Sequence, residues 1–117
     1  MKISIGVDIG TTQTKAVAFN EQAEVIASAY FLNPMFQEAP GMAEQDPELI
    51  FHGVCTVIKE VVKQLPKSTT IEVIAFSTAM HSLILLDDNK HPLTRMITWA
   101  DNRAKTQAEK LKNSQLG

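Results

Sequence analysis

Residues 3–19 read ISIGVDIGTTQTKAVAF, and this stretch decides the fold. Ile3, Ile5 and Val7 alternate with Ser4 and Gly6, the period of a strand that buries one face. Asp8 to Thr12 interrupts the run, and Lys15 to Phe19 resumes it with apolar residues at most positions. The pattern predicts a β-hairpin with a polar, glycine-containing tip. Asn20, Glu21 and Gln22 form the next turn and Glu24 to Phe31 a third apolar run, so three strands follow one another through short connections and pair antiparallel.

Beyond them, residues 33–45 hold Pro34, Pro40 and Gly41 with little periodicity and read as a surface loop. Asp46-Pro47-Glu48 is a helix start: Asp caps free amides, Pro suits the first helical position, and Glu complements the positive end of the helix. Ile50, Val54, Val57, Ile58, Val61, Val62 and Leu65 follow helical spacing up to Pro66. Ile71 to Phe76 is nearly continuous in apolar residues and predicts a buried strand reached by a crossover. Ser82 to Leu86, closed by Asp87-Asp88-Asn89-Lys90, predicts another strand and turn, and Met96 to Trp99 a short strand after it. Ala104, Ala108 and Leu111 share one helical face, with Gly117 as the end of that helix. Strands, helix, strands, helix is the order of an α/β fold, a mixed sheet with helices packed on it.

The chain has 117 residues, 44% of them hydrophobic, enough for one compact unit with a core and no internal linker. Eleven Lys and Arg against 13 Asp and Glu leave a net charge of −2 without a basic stretch, which argues against nucleic acid as a partner. Cys55 is the only cysteine, so no internal disulfide forms; it lies within the apolar helical pattern and fits a packing role in a reducing, cytoplasmic compartment. No apolar stretch reaches signal or membrane-span length, so neither targeting nor membrane association is expected.

Two segments carry possible chemistry. In Asp8-Ile9-Gly10-Thr11-Thr12-Gln13-Thr14-Lys15, glycine lets backbone amides approach phosphate oxygens, the hydroxyls add donors, and Lys15 adds a cation. Asp8 could hold magnesium through water, because that ion keeps several waters and takes one or two carboxylates. Asp, Gly and Thr are also ordinary turn formers, and on chemistry alone a plain turn accounts for them slightly better. The segment is neither a Walker A loop nor a GxGxxG fingerprint. The second segment is Ala79-Met80-His81-Ser82, with Trp99, Asp101 and Arg103 beyond it. An aromatic ring stacks on the apolar face of a carbohydrate, while His, Asp and Arg bond hydroxyl or carboxylate groups. Each residue alone also fits a structural role, Asp101 and Arg103 as solvated residues in the first turn of the last helix. His52, His91 and Cys55 lack metal-ligand spacing, no Ser-His-acid arrangement is present, and Glu44-Gln45-Asp46 looks like paired carboxylates, but helix capping explains Asp46 more cheaply.

Taken in order, IGVDIGTTQTKAVAF, GMAEQDPELIF, VIAFSTAMHSLILLD and ITWADNRA resemble the N-terminal part of the FGGY family of carbohydrate kinases, a branch of the actin-like ATPases. The resemblance covers nearly the whole chain. It implies ribonuclease-H-like domains with ATP and sugar meeting between them, and transfer of a phosphoryl group from MgATP to a sugar hydroxyl. It places Asp8 near the magnesium and makes Gly10, Thr11, Thr12 and Gln13 the first phosphate loop. Lys15 stands where glycerol kinases have arginine. It sets Met80 and His81 at the sugar-contact site, in place of the Arg-Glu pair of glycerol kinases, with Trp99, Asp101 and Arg103 as further substrate contacts. The wording STAMHS, TWADNR and AEQDP is closest to the branch acting on gluconate, with xylulose second.

On this resemblance residues 1–117 are the N-terminal part of the first domain. The remainder, including the general base and the adenine site, lies outside the chain, which alone is expected to be catalytically silent. A homodimer is left open. A rival reading is a non-catalytic actin-like sugar-sensing module, but such repressors carry a DNA-binding domain ahead of this turn, which here starts at residue 8. Another rival is a small hydroxyl-rich binding domain with no nucleotide role.

Overall fold

Along the chain the elements are β1 (Lys2–Ile9), β2 (Gln13–Phe19), β3 (Val25–Leu32), β4 (Glu44–Gln45), α1 (Pro47–Gln64), β5 (Thr70–Thr78), β6 (Met96–Ile97) and α2 (Lys105–Lys112). The structure, a computed structural model, describes residues 1–115; Gly117, expected to end the last helix, lies outside the described residues. Two compact units interleave in sequence: Met1–Pro34 with Asp46–Ala79, and Met35–Gln45 with the chain from Met80 onward.

The first unit is a mixed sheet in the order β3-β2-β1-β5. The predicted antiparallel hairpin pairs Ile9 with Thr14 and Asp8 with Lys15, and β2 pairs antiparallel with β3. β5 runs parallel to β1, with Asp8 beside Ser77 and Ile9 beside Thr78. A parallel partner requires a crossover, and α1 supplies it. Asp46 caps α1 by accepting the Glu48 amide at 2.9 Å, Pro47 occupies the first turn, and the helix stops at Gln64, ahead of Pro66.

Strand alternation turns Ile3, Ile5 and Val7 of β1, Ala16 and Ala18 of β2 and Ala27 of β3 to one face, where they bury against Val54, Val57 and Val61 of α1. Small residues on β2 and β3 let the helix sit close to the sheet. Val62, expected on the buried stripe, faces solvent instead, one position off that face.

Three expectations need correction. β5 was predicted to be buried; it forms the sheet edge, α1 lies over β2, β3 and only the margin of β1, and Phe76 is 57% exposed. Apolar side chains do not by themselves show that a strand is covered, and no residue of β5 is buried. Ser82 to Leu86 is not a regular strand. The second unit has isolated bridges Leu83–Ile97 and Leu86–Pro92, and Pro92 has no N–H with which to continue a ladder. α2 forms, but none of its residues is buried, and Leu111 is exposed; only two of its eight residues are apolar. The loop 33–45 also gains structure: Glu44 bridges Phe36, and β4 pairs antiparallel with β6.

Gly53 sits mid-helix where a Cβ would come within 2.5 Å of the Phe31 ring, which packs edge-on to His52 with centroids 5.8 Å apart. Alanine would raise helix propensity by about 1 kcal/mol, whereas overpacking costs about 1–3 kcal/mol. Gly53→Ala is therefore expected to lower unfolding stability by about 1 kcal/mol in urea melts, and Gly53→Ala with Phe31→Leu to recover part of the loss.

Candidate functional site

The phosphate-type segment occupies the hairpin tip of the first unit. The Gly10 amide donates to the Gln13 carbonyl at 2.9 Å, and a Cβ on Gly10 would stand 2.9 Å from that same oxygen, so only glycine closes the tip this tightly. Thr11 is half-buried, and Thr12 and Gln13 are exposed. The tip is held from behind by Asn33, a residue the sequence reading passed over. Its side-chain amide donates to the Gly10 carbonyl at 2.8 Å and to Thr14 Oγ1 at 3.0 Å, and its backbone N–H reaches the Thr12 carbonyl at 2.8 Å. Thr14 and Asn33 are both buried. Asn33 carried a weak signal: a polar residue immediately after an apolar strand and before Pro34.

Asp8 and Lys15 face each other across β1 and β2 on the sheet face that α1 leaves open. With Ser77 they mark the polar part of an open cleft of about 440 Å³ that continues over Gly6 to Val17 and Phe19. One exposed carboxylate with a hydroxyl nearby fits magnesium, which keeps most of its waters, and does not fit an ion that needs a full protein cage. Among the described residues no group of three His, Cys, Asp or Glu is placed to hold a metal.

The sugar-type residues lie in the second unit. Met80 and Trp99 are exposed, 68% and 58% respectively. His81 has φ of 63°, the left-handed region that costs a non-glycine residue about 1 kcal/mol. The bridge between Leu83 and Ile97 is antiparallel, with reciprocal hydrogen bonds of 2.8 Å. His81 precedes it by two residues and Trp99 follows it by two, so both leave the bridge at the same end.

Asp101 and Arg103 precede α2 and do not form its first turn. Asp101 accepts the Ala43 amide at 3.0 Å and Arg103 Nε and Nη2 at 2.9 and 2.6 Å. Arg103 Nη2 also donates to Glu44 Oε2, a partner the sequence did not reveal. Arg95 lies over the Phe36 ring at 3.7 Å and pairs with Glu38 at 3.4 Å. The Arg103 hydrogen bond, followed by the Ala43 amide, lowers the Asp101 carboxyl from 3.8 to about 2.

Replacing Asn33 by Ala leaves the Gly10 carbonyl and Thr14 hydroxyl short of a partner in a buried place, at a cost of about 1–3 kcal/mol. Urea melts of Asn33→Ala are expected to show that loss, with amide exchange at residues 10–14 accelerated beyond the rest of the sheet. A second measurement follows from Asp101. Its folded carboxyl binds fewer protons than the unfolded one, so its contribution is complete above 3.8 and is lost as pH falls towards about 2. The stability gap between the chain and Asp101→Asn is expected to hold from neutrality down to that range and to narrow below it.

Residues 3–117 match the FGGY family of carbohydrate kinases, N-terminal domain. The gluconokinase of Bacillus subtilis (strain 168) is 45% identical over 108 residues, which are 92% of this chain and 21% of that protein. A gluconate kinase crystal structure from Lactobacillus acidophilus superposes with a TM-score of 0.91 at 39% identity, over 98% of this chain and 23% of that one. The ligand-bound xylulose kinase from the same organism gives 0.92 at 39% identity, over 99% and 23%. The chain spans about a fifth of the length of the curated relatives it matches. No helix among the described residues is long and apolar enough to cross a membrane. The mixed sheet is the ribonuclease-H-like, actin-like ATPase arrangement expected from the motifs, and the chain belongs to the FGGY family of carbohydrate kinases.

Proposed function

We propose that this chain is the leading part of the first domain of a cytoplasmic, ATP-dependent sugar kinase whose acceptor is gluconate. The remainder of the first domain, the second domain and the general base would lie in chain beyond these 117 residues. The observation that carries the reading is the hairpin tip: Gly10 closes it, Asn33 supports it from behind, and Asp8 and Lys15 stand at its base on the open face. Such a tip offers backbone amides and the hydroxyls of Thr11 and Thr12 to phosphate oxygens, with Gln13 beside them. Lys15 adds positive charge, and Asp8 would hold magnesium through its waters. When bound, that ion neutralises charge on the phosphate oxygens during transfer.

In the second unit, Met80, His81 and Trp99 would contact the sugar, the indole against its apolar face and the imidazole toward a hydroxyl or carboxylate. Gluconate is favoured by the likeness to gluconokinases; xylulose is the second reading, supported by the equally similar xylulose kinase structure.

The test is a substrate panel on the longer enzyme with MgATP. Gluconate is expected to show the highest kcat/KM, and Asp8→Ala to lower kcat by roughly a hundredfold or more, as loss of a charge-stabilising group does. His81→Ala is expected to act mainly on the sugar KM. Turnover that survives Asp8→Ala would remove the metal role, and a preference for xylulose would replace gluconate.

A further inference from the structure

Asp101 and Arg103 were expected to touch the sugar, yet the Asp101 oxygens and the Nε and Nη2 groups of Arg103 are turned to the protein. A carboxylate has about four acceptor positions. Asp101 Oδ1 receives the backbone amide and Nε of Arg103, and Oδ2 receives the Ala43 amide with Arg103 Nε and Nη2. Nothing is left for a sugar hydroxyl. Arg103 is held by Asp101 and by Glu44, whose side chain is 16% exposed, so one guanidinium already faces two carboxylates. A third anion, the carboxylate of a sugar acid, gains little from a cation so neutralised.

The same bonds close a ring around Trp99. The Ala43 carbonyl accepts both the amide of Thr98, at 3.1 Å, and its hydroxyl, at 2.8 Å. The Ala43 amide is taken by Asp101, and the Asp101 amide returns to the Thr98 carbonyl at 3.0 Å. Ala43 is thus gripped on both its polar groups by the two residues that flank Trp99-Ala100. Thr98 and Ala43 are buried, whereas Trp99 is presented to solvent. Arg103 braces the ring by joining Asp101 to Glu44, the neighbour of Ala43 on the β4 side.

We propose that Asp101 and Arg103 are positioning residues that hold the arch bearing Trp99, and are not ligands of the sugar. The role of the presented ring rests on the sugar-site reading above; the arch itself does not.

Trp99 is the only tryptophan of the sequence, so its fluorescence reads the arch without a label. The experiment uses the chain with no sugar added and compares it with Asp101→Asn and Arg103→Lys. Asp101→Asn removes the charge; Arg103→Lys keeps the charge but loses the planar fork. Both variants are expected to lower Trp99 anisotropy and raise its quenching by acrylamide while far-UV circular dichroism stays unchanged. If Asp101→Asn unfolds the chain, Arg103→Lys decides alone. Unchanged anisotropy and quenching in a folded variant overturns the proposal, whatever happens to sugar affinity. Because no sugar is present, a wrong substrate assignment leaves this result standing, and its failure leaves the kinase reading standing.

Discussion

β1 is bonded along both edges, and the first unit depends on that constraint. On one side it closes an antiparallel hairpin with β2, which needs only a tight tip; on the other it lies parallel to β5, which needs a crossover. The two demands fix the rest. The tip brings Asp8 and Lys15 opposite one another, and the crossover lays α1 over the face carrying Ile3, Ile5 and Val7. The opposite face then stays open, and there Gly6, Asp8, Lys15 and Ser77 line a cleft. A one-residue slip in β1 would turn Asp8 into the core and Val7 out of it. Burial of three aliphatic side chains therefore sets where the carboxylate points.

Local chemistry was legible in the sequence wherever one residue type answers one local demand. Alternation gave β1 and β2 their faces, and Asp46-Pro47-Glu48 marked the start of α1 because capping and the missing Pro N–H act within one turn. Gly10 was legible for the same reason. Asn33 was not, because its value comes from reaching Gly10 and Thr14 across the sheet, at a sequence separation that no local pattern records.

β5 and the segment after it show a second kind of limit. The run from Ile71 to Phe76 is apolar enough for a buried strand, and strand it is, but its burial depends on what lies on either side. Ser82 to Leu86 has strand composition, yet its partner contains Pro92 and the residue just before it, His81, is left-handed, so pairing falls to isolated bridges. Asp101 and Arg103 have the composition of ligands and the geometry of struts. Composition cannot separate the two, since a guanidinium and a carboxylate bind a sugar or each other with the same groups; only the partners Ala43 and Glu44 do.

These contrasts separate two kinds of construction within the chain. The hairpin tip is built from backbone: the amide and carbonyl of Gly10 and the carbonyls of Thr12 and Gln13, held by the buried Asn33 amide, with little freedom to vary without opening the tip. Around the isolated Leu83–Ile97 bridge the backbone is irregular, and the exposed Met80, His81 and Trp99 lie outside any ladder. A strut such as the Asp101–Arg103 pair suits irregular backbone, because it and the bonds from Ala43 to Thr98 and Asp101 hold the arch where no ladder does. The likeness to a gluconate kinase and to a xylulose kinase is a likeness of this backbone, and it is equal for the two, at 39% identity each.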